Sequence, residues 1–304
     1  MALVERIIEI ILPVFFMAGI GYAYARIRGE QARNDISAVN RVTMDVLCPL
    51  LVFTALAAKD FDLANNGFLI LGGVLISLGS GLLAWPVARL LGYDARSFVP
   101  PMMYNNCGNM GLPLAVLAFG AQALPSAVAL LMACNLVYFS AGIKIIESGR
   151  HDIHASFFKF LVSPMMIATI LGVAFSVAGI HFEGPLYTAM KLLGDTSIPI
   201  MLFALGVRMI DVSFKSWHIG LAGAAVCPIA GLVVAWLLDG LLPLDATQRG
   251  QMYLFAALPP AVLAYVVAEQ YNQEPEKVAA IVLLGNLCAV VFVPLGLWMG
   301  LRAV

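Results

Sequence analysis

Charge is scarce in this sequence. Only 12% of its 304 residues are Asp, Glu, Lys or Arg, where soluble domains carry roughly 25%. With 62% hydrophobic residues and a mean hydropathy of +0.93, the chain has too much apolar surface to hide inside one globule and calls for lipid as solvent. A net charge of −1 gives no electrostatic reason to expect a nucleic-acid partner. No connection is long enough for a soluble domain, and no tail is low in complexity. The five cysteines, Cys48, Cys107, Cys134, Cys227 and Cys288, all fall in apolar runs without CxxC or Cys/His spacing, which argues against both disulfides and a metal site. His151, His154, His181 and His218 are scattered over loops and span edges. Neither a Gly-x-Ser-x-Gly nor a His-Glu-x-x-His motif is present, so hydrolase chemistry finds no support.

What the sequence does have is a series of apolar windows near twenty residues long. They predict spans at 7–27, 36–58, 66–91, 97–120, 122–147, 157–179, 186–209, 216–243, 247–271 and 275–302. The first run lacks a small-residue cleavage site and is too long for a signal peptide, so it reads as a span. Lysine and arginine fall unevenly between the two sets of loops. One side carries Arg26, Arg28, Arg33, Arg89, Arg96, Lys144, Arg150, Lys159, Arg208, Lys215 and Lys277; the other carries Arg6, Lys59, Arg249 and Arg302. The richer side is expected in the cytoplasm, which puts both termini outside.

The two halves echo each other. Asp45, Pro49 and Phe53 recur as Asp195, Pro199 and Phe203, and Arg41 is matched by Lys191. Pro13, Gly21 and Ala23 match Pro164, Gly172 and Ala174; Asn135-Leu136 matches Asn286-Leu287; Leu112–Ala118 matches Leu258–Ala264. The series predicts a duplication, with units over residues 1–150 and 151–304. Each unit has an odd number of spans, five, so the second must be inverted. The fold expected is therefore all-α and polytopic: about ten transmembrane helices in two inverted five-helix repeats, an arrangement typical of secondary transporters.

Chemistry concentrates in the fourth span. Asn105, Asn106 and Asn109 lie among Gly108, Gly111 and Pro113, a composition that cannot make a good continuous helix and needs a polar cavity in mid-membrane. The ninth span has Pro259-Pro260 at the corresponding point. Two broken helices crossing there would aim half-helix N-termini at one site; their positive ends favour an anion, and unwound carbonyls can hold a cation. The competing reading is a proline kink with asparagines bridging helices.

The run Asn106 to Leu114 (Asn-Cys-Gly-Asn-Met-Gly-Leu-Pro-Leu) and the run Leu193 to Pro199 (Leu-Gly-Asp-Thr-Ser-Ile-Pro) resemble the auxin efflux carrier family, which includes plant auxin exporters and bacterial malonate-type carriers. The resemblance spans essentially the whole chain and is nearest to the bacterial branch, which implies an inner (plasma) membrane location. It implies ten helices with crossing spans four and nine, a fold related to bile acid/sodium symporters. It also implies that a substrate carboxylate meets Asn105, Asn106, Asn109 and Pro113, with Pro259 and Pro260 opposite. Cys107 stands where a small hydroxylated residue is expected.

Asp45 and Asp195 lie about ten residues into their spans, where an ionisable group is costly and a functional candidate. Arg41 and Lys191, four residues earlier, could neutralise them on the same helical face. A coupling role for H+ or Na+ and a structural ion pair both remain open. Asn135 and Asn286 either line the pocket or bridge helices. Glu269-Gln270 reads as a solvated helix end. The function expected is a secondary carrier for a small organic anion, a mono- or dicarboxylate, working by alternating access without a cofactor. The alternatives are a sodium-coupled symporter of the bile-acid type and, remotely, a channel or an intramembrane protease. The protease would need glycine at position 192, where Leu192 stands, and its Tyr-Asp pair occurs only as the loop residues Tyr93-Asp94. Partners expected are the organic anion and the bilayer, with a homodimer left open.

Overall fold

The structure, a computed structural model, describes residues 2–58, 62–148, 161–180, 183–209 and 216–302. Lys59, Arg150, His151, His154, Lys159, His181, Lys215 and the start of the expected sixth span lie outside the described residues.

The first half of the chain forms α1 (Ala2–Arg28), α2 (Glu30–Val42), α3 (Cys48–Leu56), α4 (Leu63–Leu90), α5 (Ala95–Met102), α6 (Leu112–Phe119), α7 (Leu124–Val137) and α8 (Ile143–Ile146). The second half forms α9 (Pro164–Val177), α10 (Pro185–Arg208), α11 (Trp217–Leu238), α12 (Ala246–Ala256), α13 (Val262–Gln270) and α14 (Pro275–Leu301). Proline opens α9, α10 and α14, where its missing N–H costs nothing. Asp62 caps α4, and Asp245 with Gln248 forms a capping box on α12. Among the described residues, six helical stretches are long and apolar enough to cross a membrane: Glu30–Leu56, Leu63–Leu90, Ala121–Ile146, Pro185–Arg208, Trp217–Leu238 and Pro275–Leu301. The expected fourth and ninth spans are each two short helices, α5 with α6 and α12 with α13, separated by irregular backbone.

The matched positions of the two halves pack reciprocally. Gly21 of α1 lies against the backbone of Phe203 in α10, and Gly172 of α9 lies against Phe53 and Leu56 of α3. Tyr24 meets the Phe203 ring at 5.6 Å, and Phe175 meets the Phe53 ring at 5.5 Å. Glycine at these points lets backbones approach closely, which is how helices associate without a hydrophobic drive from lipid.

Among the described residues, three π-helical turns interrupt the bundle, at Thr43–Leu47, Cys107–Gly111 and Tyr138–Gly142. In each, the next amide reaches back five residues: Cys48 to Thr43, Leu112 to Cys107 and Ile143 to Tyr138. The first two end just before Pro49 and Pro113, whose rings deny the carbonyls of Asp45 and Asn109 an α-helical donor. A widened turn is the local answer to that clash. It also separates Arg41 from Asp45. The expected four-residue register between them does not hold, and the two side chains do not pair. Lys191 and Asp195, in a regular α-helix, do form their ion pair, at 2.7 Å.

The outer ends of the broken helices are tied together. Asp94 caps α5 by accepting from the Arg96 amide at 2.9 Å, and Gln273, beyond α13, donates to Asp94 (3.0 Å) and to Ser97 (3.1 Å). The hydrogen bond from the Arg96 guanidinium holds the Asp94 carboxyl below its ordinary range. A depressed folded-state value means the stabilisation is complete above the unfolded-chain value and is lost as pH falls through the folded one. Asp94→Ala is expected to lower stability by about 1 kcal/mol at neutral pH. Thermal unfolding in detergent should show the gap to wild type closing as the pH falls below the ordinary carboxylate range.

Candidate functional site

The breaks in the two interrupted helices meet. Asn105 and Pro260 pair as an isolated antiparallel bridge. The amide of Asn106 donates to the Pro259 carbonyl at 2.7 Å, and the amide of Ala261 donates to the Tyr104 carbonyl at 2.8 Å. Backbone groups freed from one helix are thus satisfied by the other, which is what irregular backbone away from water requires. Two half-helices start here, one at Cys107 and one at Val262.

Beside the crossing lies a cavity of about 510 Å³. All three π-helical turns contribute to its wall, through Asp45, Asn109 and Phe139 among others. Much of the remaining wall is apolar, with Leu51, Leu131, Met201 and Val266 as examples. The far end is framed by helix ends: Ser163-Pro164 starting α9, Arg208 closing α10, and Gln270-Tyr271 closing α13.

The expected site residues divide by location. Asn105, Asn106, Asn109, Asn135 and Asp45 line the cavity. Pro113, Pro259, Pro260 and Asn286 are buried but are not in its wall, and neither are Arg41, Lys191 or Asp195. Pro113 sits one turn inside a helix, not at the break, so the matching of Leu112-Pro113 with Leu258-Pro259 is not the spatial one. In space Asn105 faces Pro260. Lys191 and Asp195 pair at an exposed position, with side chains 46% and 42% accessible.

The three asparagines have different tasks. Asn105 donates to the Phe255 carbonyl at 2.7 Å and accepts from the Cys227 thiol at 3.4 Å. Asn106 donates to Asn286 Oδ1 at 2.9 Å; Asn286 in turn donates to the carbonyls of Pro260 (3.2 Å) and Val282 (2.7 Å). Both therefore hold the crossing together. Asn109 is half-buried in the wall, and its side chain has no hydrogen-bond partner among the described residues. It is the amide available to a ligand. Asn135 accepts from the Tyr104 hydroxyl at 2.8 Å, and the Tyr104 ring stacks on Tyr138 at 4.2 Å.

Sequence reasoning missed two features of the wall. Arg208 was grouped with the loop cations, yet it lines the cavity; its seven-residue spacing from Met201, which places both on one helix face, was the available signal. Tyr271 was not singled out. Its hydroxyl donates to Glu147 Oε1 at 2.7 Å, and Glu147 is 2% exposed, with no partner for Oε2 among the described residues. Tyr271→Phe is expected to strand that carboxylate, costing about 1–3 kcal/mol, measurable as a lowered melting temperature. Among the described residues no group of acidic, His and Cys side chains could hold a metal ion, and the five cysteines are unpaired.

A membrane-embedded helical bundle with interrupted helices crossing beside a cavity defines a transport protein. The family model for "Membrane transport protein" matches the chain twice, over residues 6–158 and 153–298. The chain belongs to that family, the auxin efflux carrier family that its motifs resemble, and is an integral membrane transporter, not an enzyme. It is 26% identical over 298 residues to an "uncharacterized transporter" of Methanothermobacter thermautotrophicus, covering 94% of this chain and 96% of that one. It is 23% identical over 306 residues to a "putative malonate transporter" of Rhizobium meliloti, covering 94% of this chain and 93% of that one.

Proposed function

We propose that this transporter carries a small carboxylate by alternating access, and that the carboxylate docks where the half-helices starting at Cys107 and Val262 converge. The observation that carries this reading is the Asn109 amide, which lines the cavity without a hydrogen-bond partner among the described residues, beside a half-helix start. Backbone N–H groups there present roughly half a positive charge, so an anion is favoured before any side chain acts. The malonate named for the Rhizobium relative is an acid of this class.

The architecture we propose is ten spans in two inverted units, residues 1–150 and 151–304. The reciprocal glycine and aromatic packing supports it, as does the double family match. On the charge bias, the helix ends framing the cavity face the cytoplasm of a bacterial cell and both termini lie outside. Cysteine labelling at residue 152 from outside intact cells would overturn that orientation.

Asp45 is the acid placed to couple an ion, because it lines the cavity while Asp195 is held by Lys191 elsewhere. Uptake of labelled malonate into proteoliposomes under imposed proton or sodium gradients tests both points. Saturable uptake is expected, and Asp45→Asn should flatten its dependence on the driving gradient while Asp195→Asn leaves it. An absence of carboxylate uptake across a panel of such acids would sink the substrate class.

A further inference from the structure

We infer that the groove along the last turns of α4 is a binding site for one phospholipid with a net negative headgroup, held by Arg89.

The groove is walled by Leu82, Trp85, Pro86, Arg89 and Leu90. Residues spaced like these, three, four, seven and eight positions on from Leu82, share one face of a helix. The helix has 28 residues, about 42 Å at 1.5 Å per residue, against a hydrocarbon core of about 30 Å. Its last turn, which holds Arg89, therefore reaches headgroup depth. Trp85 sits one turn deeper, at the level of the aromatic belt. It packs against the cluster containing Ala84, Phe98, Ile219 and Cys227, so the groove is formed before any ligand arrives. Leu82 and Leu90, at its two ends, are 75% and 85% exposed. Apolar side chains this bare on either side of a cation call for a cover that is both greasy and charged, which a phospholipid is.

Charge decides which phospholipid. Among the described residues, Arg89 makes no ion pair and no side-chain hydrogen bond. The next acid along the chain, Asp94, is already taken by Arg96 and Gln273, and no acid stands in the groove's wall. The negative end of α4 favours a cation in its last turn, yet that attraction leaves the guanidinium donors unused. They match a phosphate group through two parallel hydrogen bonds. A zwitterionic headgroup would bring a positive charge for which the wall has no partner. A net negative one brings none.

Trp85 is itself the reporter. The full-length protein carrying Trp217→Phe, Trp236→Phe and Trp298→Phe is reconstituted in phosphatidylcholine vesicles at constant, physiological ionic strength. A rising fraction of the lipid is replaced by phosphatidylglycerol or phosphatidylcholine brominated near the headgroup end of its acyl chains, since bromine quenches an indole on contact. Half-maximal quenching is expected at about a fivefold lower fraction of phosphatidylglycerol than of phosphatidylcholine. Arg89→Gln should bring the two within about twofold, and Arg89→Lys should keep part of the gap. Equal quenching of Trp85 by the two lipids overturns the inference. So does quenching by neither, because protein would then cover the groove. Inorganic phosphate should leave the gap unchanged; if it closes the gap, Arg89 binds the free ion and the lipid site is wrong. A protein keeping only Trp236, exposed on α11, should be quenched equally by both lipids. A fivefold gap there too would make the preference a property of the whole surface and overturn the site. Wild-type protein in mild detergent gives a reading that needs no tryptophan change. Native mass spectrometry should show one phosphatidylglycerol retained where phosphatidylcholine is lost, and not retained by Arg89→Gln. Equal retention of both lipids by wild type overturns the inference.

Discussion

Asn109→Ala is expected to abolish saturable carboxylate uptake at micromolar substrate while leaving the protein's abundance in the membrane unchanged. The two halves of that result come from the same observation: the Asn109 side chain has no partner among the described residues, so its removal breaks nothing within the fold. A hydrogen bond to a charged group is worth about 1.5–3 kcal/mol, so affinity should fall roughly ten- to a hundredfold. Asn106→Ala is the instructive contrast. It removes the donor that Asn286 Oδ1 accepts from, leaving a buried acceptor unsatisfied at a cost of about 1–3 kcal/mol. Reduced uptake should therefore come with a lower melting temperature for Asn106→Ala, and without one for Asn109→Ala. Binding by calorimetry and unfolding by intrinsic fluorescence, on the same detergent preparations, separate the two. Unimpaired uptake by Asn109→Ala would move the binding site elsewhere.

The second large effect is structural. Gly206→Val should remove most of the protein from the membrane. A Cβ at Gly206 would overlap the carbonyl oxygen and Cα of Ala18 in α1, which are backbone atoms that cannot swing aside. The helices α1 and α10 would have to separate along the seam where Gly21 also meets Phe203. Gly19→Val, two residues from Gly21 on the same helix, is the control, because a Cβ there meets nothing within 4 Å. Quantitative blotting of membranes should show Gly19→Val near wild type and Gly206→Val severely depleted.

Much of this was legible in the sequence, because lipid simplifies the problem. With no water in the bilayer core, twenty apolar residues have few alternatives to a helix. A segment such as Asn105–Pro113 must then be an interruption next to a cavity. What stayed hidden was register. A π-helical turn inserts an extra residue without any distinctive composition, so the i, i+4 spacing of Arg41 and Asp45 suggested an ion pair that the widened turn at Thr43–Leu47 prevents. The same spacing at Lys191 and Asp195 gave the pair as expected. Proline was also ambiguous: Pro113 and Pro259 both advertise a break, yet only the second stands at one. Arg208 misled for another reason. Positive charge at a helix end usually means a loop, and the seven-residue spacing from Met201, which puts Arg208 on the cavity-lining face, is a faint signal beside it.

Part of the crossing is held by main-chain atoms alone: the Asn106 amide on the Pro259 carbonyl, and the Ala261 amide on the Tyr104 carbonyl. Such bonds do not depend on which side chains those residues carry. Mutation of a wall residue that does not brace the joint, as Asn105 and Asn106 do, can therefore change what projects into the cavity without dissolving the joint beside it. On the function proposed above, single substitutions at a position such as 109 could alter what is bound while the protein still folds.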